Sequence, residues 1–415
     1  MAHVLVVGGS LGGLLAANIL LREGHAVQVI EKSASALDGR GAGIVTHAAL
    51  FEGLQRAGIT VDASLGVEVT ARVALDAAGK VVSHRALTQV LSSWSRLYQL
   101  LREALPPSCM QWGTTAARVI ESADGVTLQC GDGRNYRADM LVASDGLRSA
   151  VRAQFAPEAV PCYAGYVGWR GVCDEAVLSR LTLDTVFDCF GFGLPVGEQL
   201  IGYPVAGAAD ATARGKRRFN FVWYRPAPDE ADLARLLTDA DGVHHPLGIS
   251  PNRVSWRAVA DMRSAARALL APQFAEIIEK TAQPFLQPIY DVSSARIAFG
   301  RVVLMGDAAF VARPHVGMGV TKAAEDAMAL ADCISLHGAG AAAALAYESR
   351  RLDAGQAVVE RGRRLGRYMQ SQGSAEAVQR EVAEVLRETA VDLGSPARLA
   401  LHQSRKGACS RQQAI

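Results

Sequence analysis

The chain has 415 residues, which at about 150 residues per domain predicts two or three structural units with more than one hydrophobic core. Apolar residues make up 50% of the chain and charged residues 20%, which excludes a disordered or collagen-like protein. The formal net charge is +2, so the chain offers no global field for nucleic acid or an anionic membrane, and a small molecule is the expected partner. Seven cysteines without a C-x-x-C pair fit neither a disulfide framework nor a zinc site, and they indicate a cytoplasmic protein.

The first thirty residues predict a strand, a turn, a helix and a second strand. His3 to Val7 is a β-branched apolar run, Gly8 to Gly13 is glycine-rich, Leu14 to Glu23 has helical periodicity, and Ala26 to Ile30 is apolar again. The uncharged stretch from Val4 to Leu21 is long enough for a membrane span, but the glycines in its middle argue against one. Continuous apolar strands are typical of a buried parallel sheet, so this segment predicts a βαβ unit.

The rest of the chain alternates between two kinds of pattern. Arg118 to Val142 predicts a small antiparallel meander, because Asp124-Gly125 and Asp132-Gly133 are favourable hairpin turns. Aromatic-rich alternating runs between about Cys162 and Tyr290 predict a second, mostly antiparallel sheet. The buried-strand pattern returns at Arg301 to Met305, and helical patterns follow it.

Together these patterns predict an α/β fold: a Rossmann-like nucleotide-binding domain, an inserted and mostly antiparallel β-sheet domain for the substrate, and C-terminal helices. The expected boundaries are 1–160 for the first part of the nucleotide-binding domain, 161–290 for the inserted domain, 291–336 for the return and 337–415 for C-terminal helices and a polar tail. The Arg-rich stretch 361–367 is interpreted as a helix face in solvent or toward a second subunit of a homodimer.

The glycine-rich turn matches the dinucleotide-binding fingerprint at its first and third glycines, and Ser10 takes the place of the second. Such a turn lets a pyrophosphate rest on free N–H groups at a helix N-terminus. An acidic residue closes the second strand, where its carboxylate can accept hydrogen bonds from ribose hydroxyls and disfavours a 2′-phosphate, so the site suits FAD or NAD. The candidate cofactor residues in this unit are Gly8, Ser10, Leu11, Gly13, Glu31 and Lys32.

Two acid-glycine turns follow other buried strands. Asp145-Gly146 comes after the strand from Met140 to Val142, and Gly306-Asp307 comes after the strand from Arg301 to Met305. Each could be an ordinary strand-ending turn. Ligands of open α/β sheets bind at the carboxyl ends of the strands, so the pair indicates contacts with a hydroxyl-rich cofactor.

The glycine turn and the two acid-glycine turns, in this order, resemble the flavoprotein aromatic hydroxylases of the p-hydroxybenzoate hydroxylase fold. The resemblance covers nearly the whole chain and is closest to the hydroxypyridine hydroxylases. More discriminating segments carry that closer resemblance: Tyr163-Ala-Gly-Tyr-Val-Gly-Trp-Arg-Gly171, Arg313-Pro-His315 and Lys322-Ala-x-x-Asp326-Ala327. It implies FAD as the cofactor.

The resemblance also implies which residues contact the cofactor. Asp307 is expected at the ribityl chain, and Asp145-Gly146 at both the cofactor and the path of the reductant. The family's Pro-x-x-Gly-Gln-Gly loop, read here as Pro314-His-Val-Gly-Met-Gly319, is expected near the isoalloxazine, and its candidate residues are Pro314, Gly317, Gly319 and Val320. Where the family has an arginine at a helix start this chain has Trp94, so Arg96 is the candidate to compensate.

The chemistry implied by the resemblance is hydroxylation of a small electron-rich aromatic ring, such as a hydroxypyridine or a related N-heterocycle. NADH or NADPH would reduce FAD, and dioxygen would form a flavin C4a-hydroperoxide that transfers its distal oxygen. Four aromatic residues could form the wall of the substrate pocket, although each could equally belong to the core of the second sheet. They are Trp169, Tyr203, Phe221 and Trp223.

His315 is the candidate catalytic residue. Its loop is expected to border flavin and substrate, and an imidazole near its unperturbed pKa of about 6.5 could accept a proton from a hydroxypyridine or hydrogen-bond its anion. The alternative is that His315 only shapes the loop.

Two other functional classes stay open, and a plain NAD dehydrogenase is a weaker alternative than either. A flavin oxidase or reductase would release hydrogen peroxide or a reduced product, and a non-catalytic FAD-binding protein would show no turnover. A plain NAD dehydrogenase would not need the second and third acid-glycine segments. No metal-ligand spacing and no second glycine fingerprint occur in the sequence.

Overall fold

The computed structural model describes residues 1–37, 43–370 and 375–392. Within these ranges the strands are β1 His3–Val7, β2 Ala26–Ile30, β3 Gly43–Val45, β4 Val67–Leu75, β5 Val81–Ser93, β6 Met110–Gln111, β7 Ala116–Ser122, β8 Gly125–Cys130, β9 Asn135–Ala138, β10 Met140–Ala143, β11 Cys162–Asp174, β12 Phe190–Gly193, β13 Gln199–Val205, β14 Arg218–Pro226, β15 Phe285–Ser293, β16 Ala298–Phe299, β17 Val302–Leu304 and β18 Phe310–Val311. The helices are α1 Leu11–Arg22, α2 Ala48–Arg56, α3 Trp94–Ala104, α4 Ala150–Phe155, α5 Arg180–Thr182, α6 Glu230–Leu236, α7 Trp256–Leu269, α8 Pro272–Lys280, α9 Gly319–His337, α10 Ala341–Gly366 and α11 Ala375–Glu388.

The first sheet has six strands in the order β16-β17-β10-β1-β2-β6, and all its pairs are parallel except β16 with β17. The apolar residues of its central strands β1, β10 and β17 are buried, as their continuous apolar runs predict. The register pairs Val7 with Ala143 and Ala143 with Leu304, so β1, β10 and β17 end level with one another. The glycine turn and both acid-glycine turns therefore meet at one edge of the sheet, and the predicted α/β fold class is confirmed.

The second sheet has nine strands in the order β18-β15-β11-β14-β13-β12-β4-β5-β3, and only β12 with β4 is a parallel pair. It takes in β3, β4 and β5 as well as the strands of the aromatic-rich region. Helices α7 and α8 cover one face through Met262, Phe274 and Ile277. The opposite face of the second sheet lies next to the carboxyl edge of the first sheet. The predicted meander is a separate three-stranded sheet, β7-β8-β9.

The basic stretch of α10 lies against its own chain. The Arg361 guanidinium is buried and donates to the carbonyls of Glu388 and Val391, at 2.5 and 2.8 Å. Arg363 pairs with Asp291, and Arg364 pairs with Glu388 and a neighbouring glutamate of α11. The prediction of a solvated or subunit-facing stretch is wrong for Arg361, which is buried against carbonyls of this chain. Arg363 and Arg364 pair with acidic groups of this chain, but their side chains are 39% and 38% exposed, and Arg367 is exposed, so these three still present a partly solvated face. The expected polar tail lies outside the described residues from 393 onward.

No helix in the part of the chain that the structure describes is both long and apolar enough to cross a bilayer. The suspect N-terminal stretch is divided between β1, the glycine turn and α1.

Candidate active site

A cleft of about 380 Å³ lies between the carboxyl edge of the first sheet and the open face of the second. One end is formed by the turns that follow β1, β10 and β17, and the other by side chains of β11, β13 and β14. The loop that leads into α9 joins the two ends. A cofactor held at the first sheet would therefore face a pocket built by the second.

The turn after β1 fits the pyrophosphate of a dinucleotide. Gly8 has φ of +105°, and a Cβ on Gly13 would stand 1.9 Å from the Gly8 carbonyl oxygen, so both positions require glycine. Ser10 precedes α1 without capping it through its side chain, which leaves the first N–H groups of the helix open to a ligand. Ser10 and Leu11 line the cleft.

Glu31 is held beside this turn by two backbone amides. Its carboxylate accepts hydrogen bonds from the N–H groups of Gly9 and Ser33, both at 2.8 Å, and the residue is buried. Each carboxylate oxygen keeps a second lone pair that a ribose hydroxyl could use. Neither Glu31 nor the exposed Lys32 is among the residues that line the cleft, but Glu31 is tied to the glycine turn through Gly9 whereas Lys32 points into solvent.

Asp307 presents its carboxylate at the end of β17. The side chain is 54% exposed, lines the cleft and lies 4.0 Å from the buried ammonium of Lys322. The turn that carries Asp307 is held by α9, because the Gly306 N–H donates a hydrogen bond to the Asp326 carboxylate at 3.0 Å. Asp307 is thus the acidic side chain at the cleft that can accept hydrogen bonds from a polyhydroxyl chain.

We expect Asp307→Ala to weaken FAD binding by roughly 10- to 100-fold, since charge-assisted hydrogen bonds contribute about 1.5–3 kcal/mol each. Titration of the apoprotein with FAD, followed by fluorescence quenching, measures the change. Asp261→Ala is the matched control, because Asp261 is exposed on α7, which covers the far face of the second sheet. Equal dissociation constants for the two variants would remove Asp307 from the cofactor site.

Asp145 and Gly146 have different surroundings. The Asp145 carboxylate accepts a hydrogen bond from the Ala150 N–H at 2.8 Å and so caps α4, while burial raises the pKa of this carboxyl group. Gly146, with φ of +81°, lines the cleft, and Asp145 is not among the lining residues. Within this pair it is Gly146 that faces the cleft, while the Asp145 Oδ2 is engaged by α4 and the Asp145 Oδ1 is buried without a hydrogen-bond partner among the described residues.

The loop from Pro314 to Val320 forms the middle of the cleft. Pro314, Gly317, Gly319 and Val320 all line it. Gly317 has φ of +64°, and a Cβ there would stand 2.8 Å from the Cβ of Ala390. Ala390 also lines the cleft, and the Gln89 side chain holds its carbonyl at 2.8 Å. The segment after α11 thus closes the cleft over this loop.

Arg96 does not reach the cleft. Its guanidinium contacts Asp210 and Ser64, both at 3.1 Å. Trp94, two residues earlier, lines the cleft and stacks on Tyr98 with ring centroids 4.8 Å apart. Residues two apart on a helix point about 200° apart, so Arg96 cannot replace a side chain at the position of Trp94.

Three of the four predicted substrate residues lie on the far face of the second sheet. Trp169, Phe221 and Trp223 are at most 2% exposed and pack in the core against α7 and α8. The prediction that they form the pocket wall is therefore corrected, and the alternative that they are core residues holds. Tyr203 does line the cleft.

The side chains that sequence reasoning missed alternate with these core residues. Since neighbouring residues of a strand point to opposite faces, the cleft receives the residues beside Trp169, Phe221 and Trp223. The alternation itself was the signal that could have found them. They are Arg170, Asn220, Val222 and Tyr224.

His315 lies behind the cleft wall and is completely buried. Its Nδ1 is 2.6 Å from the Gln199 Oε1, and its Nε2 is 2.8 Å from the Tyr166 hydroxyl. Burial, with a smaller effect of the Arg313 charge, lowers the pKa of His315 to about 3. Since both nitrogens are engaged by the protein, the structure gives His315 a structural role and does not support the predicted catalytic one.

The family of FAD-binding domains described as "FAD binding domain" matches residues 1–191 and 254–362, and an FAD-binding-domain-like family matches residues 163–291. The 2,6-dihydroxypyridine 3-monooxygenase of Paenarthrobacter nicotinovorans is 30% identical over 90% of this chain and 93% of its own. The 6-hydroxynicotinate 3-monooxygenase of Pseudomonas fluorescens is 27% identical over 81% of this chain and 83% of its own. The solved structure of 2,6-dihydroxypyridine-3-hydroxylase from Arthrobacter nicotinovorans superposes with a TM-score of 0.82 at 28% identity, covering 95% of each chain.

Proposed function

The chain belongs to the FAD-binding domain family and is an FAD-dependent aromatic monooxygenase, and from that premise we propose that it hydroxylates a hydroxypyridine or a closely related N-heterocycle. The observation that carries the proposal is the single cleft that runs from the glycine turn to Arg170, Tyr203 and Tyr224 on the second sheet. A planar ring bearing hydroxyl groups matches a pocket with aromatic walls and a few convergent polar groups.

The residues at the first sheet fit FAD. The open N–H groups of α1 suit its pyrophosphate, Glu31 its adenosine ribose, and Asp307 its ribityl chain. Reduced FAD supplies the activation of dioxygen, and the protein positions the ring and keeps water away. Trp94 and Val222 contribute apolar surface at the cleft that helps to keep water away.

We also infer that NADH or NADPH is the electron donor, that the enzyme works in the cytoplasm, and that it needs neither nucleic acid nor membrane. The near-neutral formal charge supports the inference that neither nucleic acid nor a membrane is a partner. A homodimer is compatible with this proposal, and light scattering of the purified protein would give the oligomeric state.

Turnover under labelled dioxygen tests the proposed function. We expect the product of 2,6-dihydroxypyridine to gain one labelled oxygen atom, with one NADH or NADPH consumed per product, as measured by mass spectrometry and absorbance. The same reaction with unlabelled dioxygen and added catalase is the control. Label found only in water or peroxide, with every ring of a panel of hydroxypyridines, hydroxynicotinates and purine diones, would favour a flavin oxidase.

A further inference from the structure

Arg170 is a cation at the cleft whose charge is not paired by any residue that the structure describes. It lies on β11 with its side chain among the residues that line the cleft, and its register partner on β14 is Val222. No carboxylate among the described residues forms an ion pair with Arg170, and its Nε is buried without a hydrogen-bond partner. An unpaired, partly buried guanidinium is costly, and an anionic ligand would offset that cost.

The groups around Arg170 are hydrogen-bond donors. The Tyr224 hydroxyl is buried and has no partner in the described part of the chain. Burial raises the pKa of Tyr224 to about 12 and also raises the pKa of Tyr203, while the positive charge of Arg170 has a smaller, opposite effect on both. Both hydroxyls therefore keep their protons near neutral pH and can donate hydrogen bonds. Asn220 uses its Oδ1 to accept the Gly43 N–H at 2.9 Å, which leaves its amide N–H groups as donors.

Among the described residues that line the cleft, none at this end carries a carboxylate. Asp307 is the acidic residue among those that line the described cleft, and it belongs to the turn after β17 on the first sheet. The end formed by the second sheet therefore combines a cation with neutral donors. This combination is complementary to an anionic oxygen.

We propose that Arg170, with the Tyr224 hydroxyl, binds an anionic oxygen carried by the aromatic substrate, so that the enzyme selects the ionised form of the ring. The proposal rests on the proposed function, since it concerns the substrate of that reaction. An ionised ring hydroxyl is also the form that makes the neighbouring ring carbons electron-rich. A ring carboxylate would present the same chemistry to Arg170, and the experiment separates the two sources.

Equilibrium binding to the FAD-loaded enzyme without NADH tests the proposal apart from turnover. The probes are 2,6-dihydroxypyridine, which has ionisable hydroxyls, nicotinate, which has a carboxylate, and 2,6-dimethoxypyridine, which has neither. Perturbation of the flavin absorbance gives each dissociation constant. We expect Arg170→Met to weaken binding of 2,6-dihydroxypyridine by roughly 10- to 100-fold and to leave 2,6-dimethoxypyridine within about 2-fold.

Two further variants keep the test decisive. Tyr224→Phe removes only a hydroxyl for which the described residues offer no hydrogen-bond partner, so it should fold normally and weaken 2,6-dihydroxypyridine binding by roughly 3- to 10-fold. Arg218→Met is the matched control for Arg170→Met: Arg218 lies on β14, the strand that carries Tyr224 and pairs with β11, is 39% exposed and pairs with Asp174. Its loss should change no dissociation constant.

Each outcome decides between the possibilities. A selective loss of nicotinate binding in Arg170→Met would support an anion site for a carboxylate in place of a ring oxygen. Unchanged binding of both anionic probes in Arg170→Met, or no preference of the wild type for them over 2,6-dimethoxypyridine, would overturn the proposal. Arg170-dependent binding without labelled product would instead refute the proposed hydroxylation and leave the anion site standing.

Discussion

Asp326→Ala is expected to lower the free energy of unfolding by about 3–5 kcal/mol and to release FAD, because it breaks a buried charge network behind the cofactor turn. Asp326 is 2% exposed on α9. Its Oδ1 accepts from the Arg351 Nε at 2.7 Å, and its Oδ2 accepts from the Gly306 N–H at 3.0 Å. The Lys322 ammonium lies 3.9 Å from the same carboxylate.

The expected cost comes from the charges that the substitution leaves behind. Without Asp326, the acidic partners that the described chain leaves to the buried cations Arg351 and Lys322 are Glu325 and Asp307, at 2.8 and 4.0 Å respectively. An arginine guanidinium does not lose its proton in proteins, so Arg351 cannot relieve the imbalance by becoming neutral. The Gly306 N–H also loses its acceptor, which frees the turn that carries Asp307.

Urea unfolding of the apoprotein and FAD content after gel filtration measure the two effects separately. Asp332→Ala is the control, because Asp332 lies on the same helix but is 46% exposed in its ion pairs with Arg56 and Arg350. Exposed ion pairs contribute about 0–1 kcal/mol to stability, so the free energy of unfolding and the FAD content of this control should stay close to the wild-type values. Equal unfolding midpoints for the two variants would show that the buried network is not required for stability.

Local signals explain why the cofactor edge could be predicted from the sequence. Two local features of the turn require glycine, since Gly8 has a positive φ and a Cβ on Gly13 would stand 1.9 Å from the Gly8 carbonyl oxygen. Continuous apolar strands likewise identify a parallel sheet without knowledge of its neighbours. Once β1, β10 and β17 are known to be parallel, Gly146 and Asp307 must come to the same edge.

The substrate end depends on which face of a strand is covered, and alternation alone cannot decide that. The run from Phe219 to Tyr224 shows two faces, but only the positions of α7 and α8 make Phe221 and Trp223 the core face and Asn220 and Tyr224 the cleft face. The large aromatic side chains were predicted to line a ligand pocket, whereas in the structure they pack against α7 and α8.

Long-range contacts also decided the roles of two polar residues. Asp210, more than a hundred residues from Arg96 in the chain, holds that guanidinium away from the cleft. His315 meets Gln199 and Tyr166 from two different strands of the second sheet, which no local motif could reveal.

The buried state of His315 leads to an expected pH dependence of stability. The pKa of His315 is about 3 in the folded protein against an ordinary value of 6.5. Between these values the unfolded chain binds the proton and the folded chain does not, so stability falls as the pH drops below about 6.5 and the loss continues toward pH 3. At pH 5 this single group should cost about 2 kcal/mol relative to pH 7.5.

His315→Gln should remove this part of the acid sensitivity. At pH 7.5 the variant should be less stable than wild type by about 1–3 kcal/mol, because the contacts with Tyr166 and Gln199 are disturbed. Between pH 7.5 and 5 it should lose about 2 kcal/mol less than wild type, as measured by urea unfolding at both pH values. His337→Gln is the control, since His337 is exposed at the end of α9 and its replacement should leave the wild-type pH dependence in place.

The same variant separates the structural role from a catalytic one. If His315 only holds the loop behind the cleft, FAD-loaded His315→Gln should hydroxylate 2,6-dihydroxypyridine with the wild-type pH profile. A general base at this position would contribute roughly 10²-fold or more to the rate and would set the acid limb of the profile. A rate loss of that size together with a lost acid limb, and an unchanged pH dependence of unfolding, would mean that His315 reaches the substrate and is not the buried neutral imidazole seen between Gln199 and Tyr166.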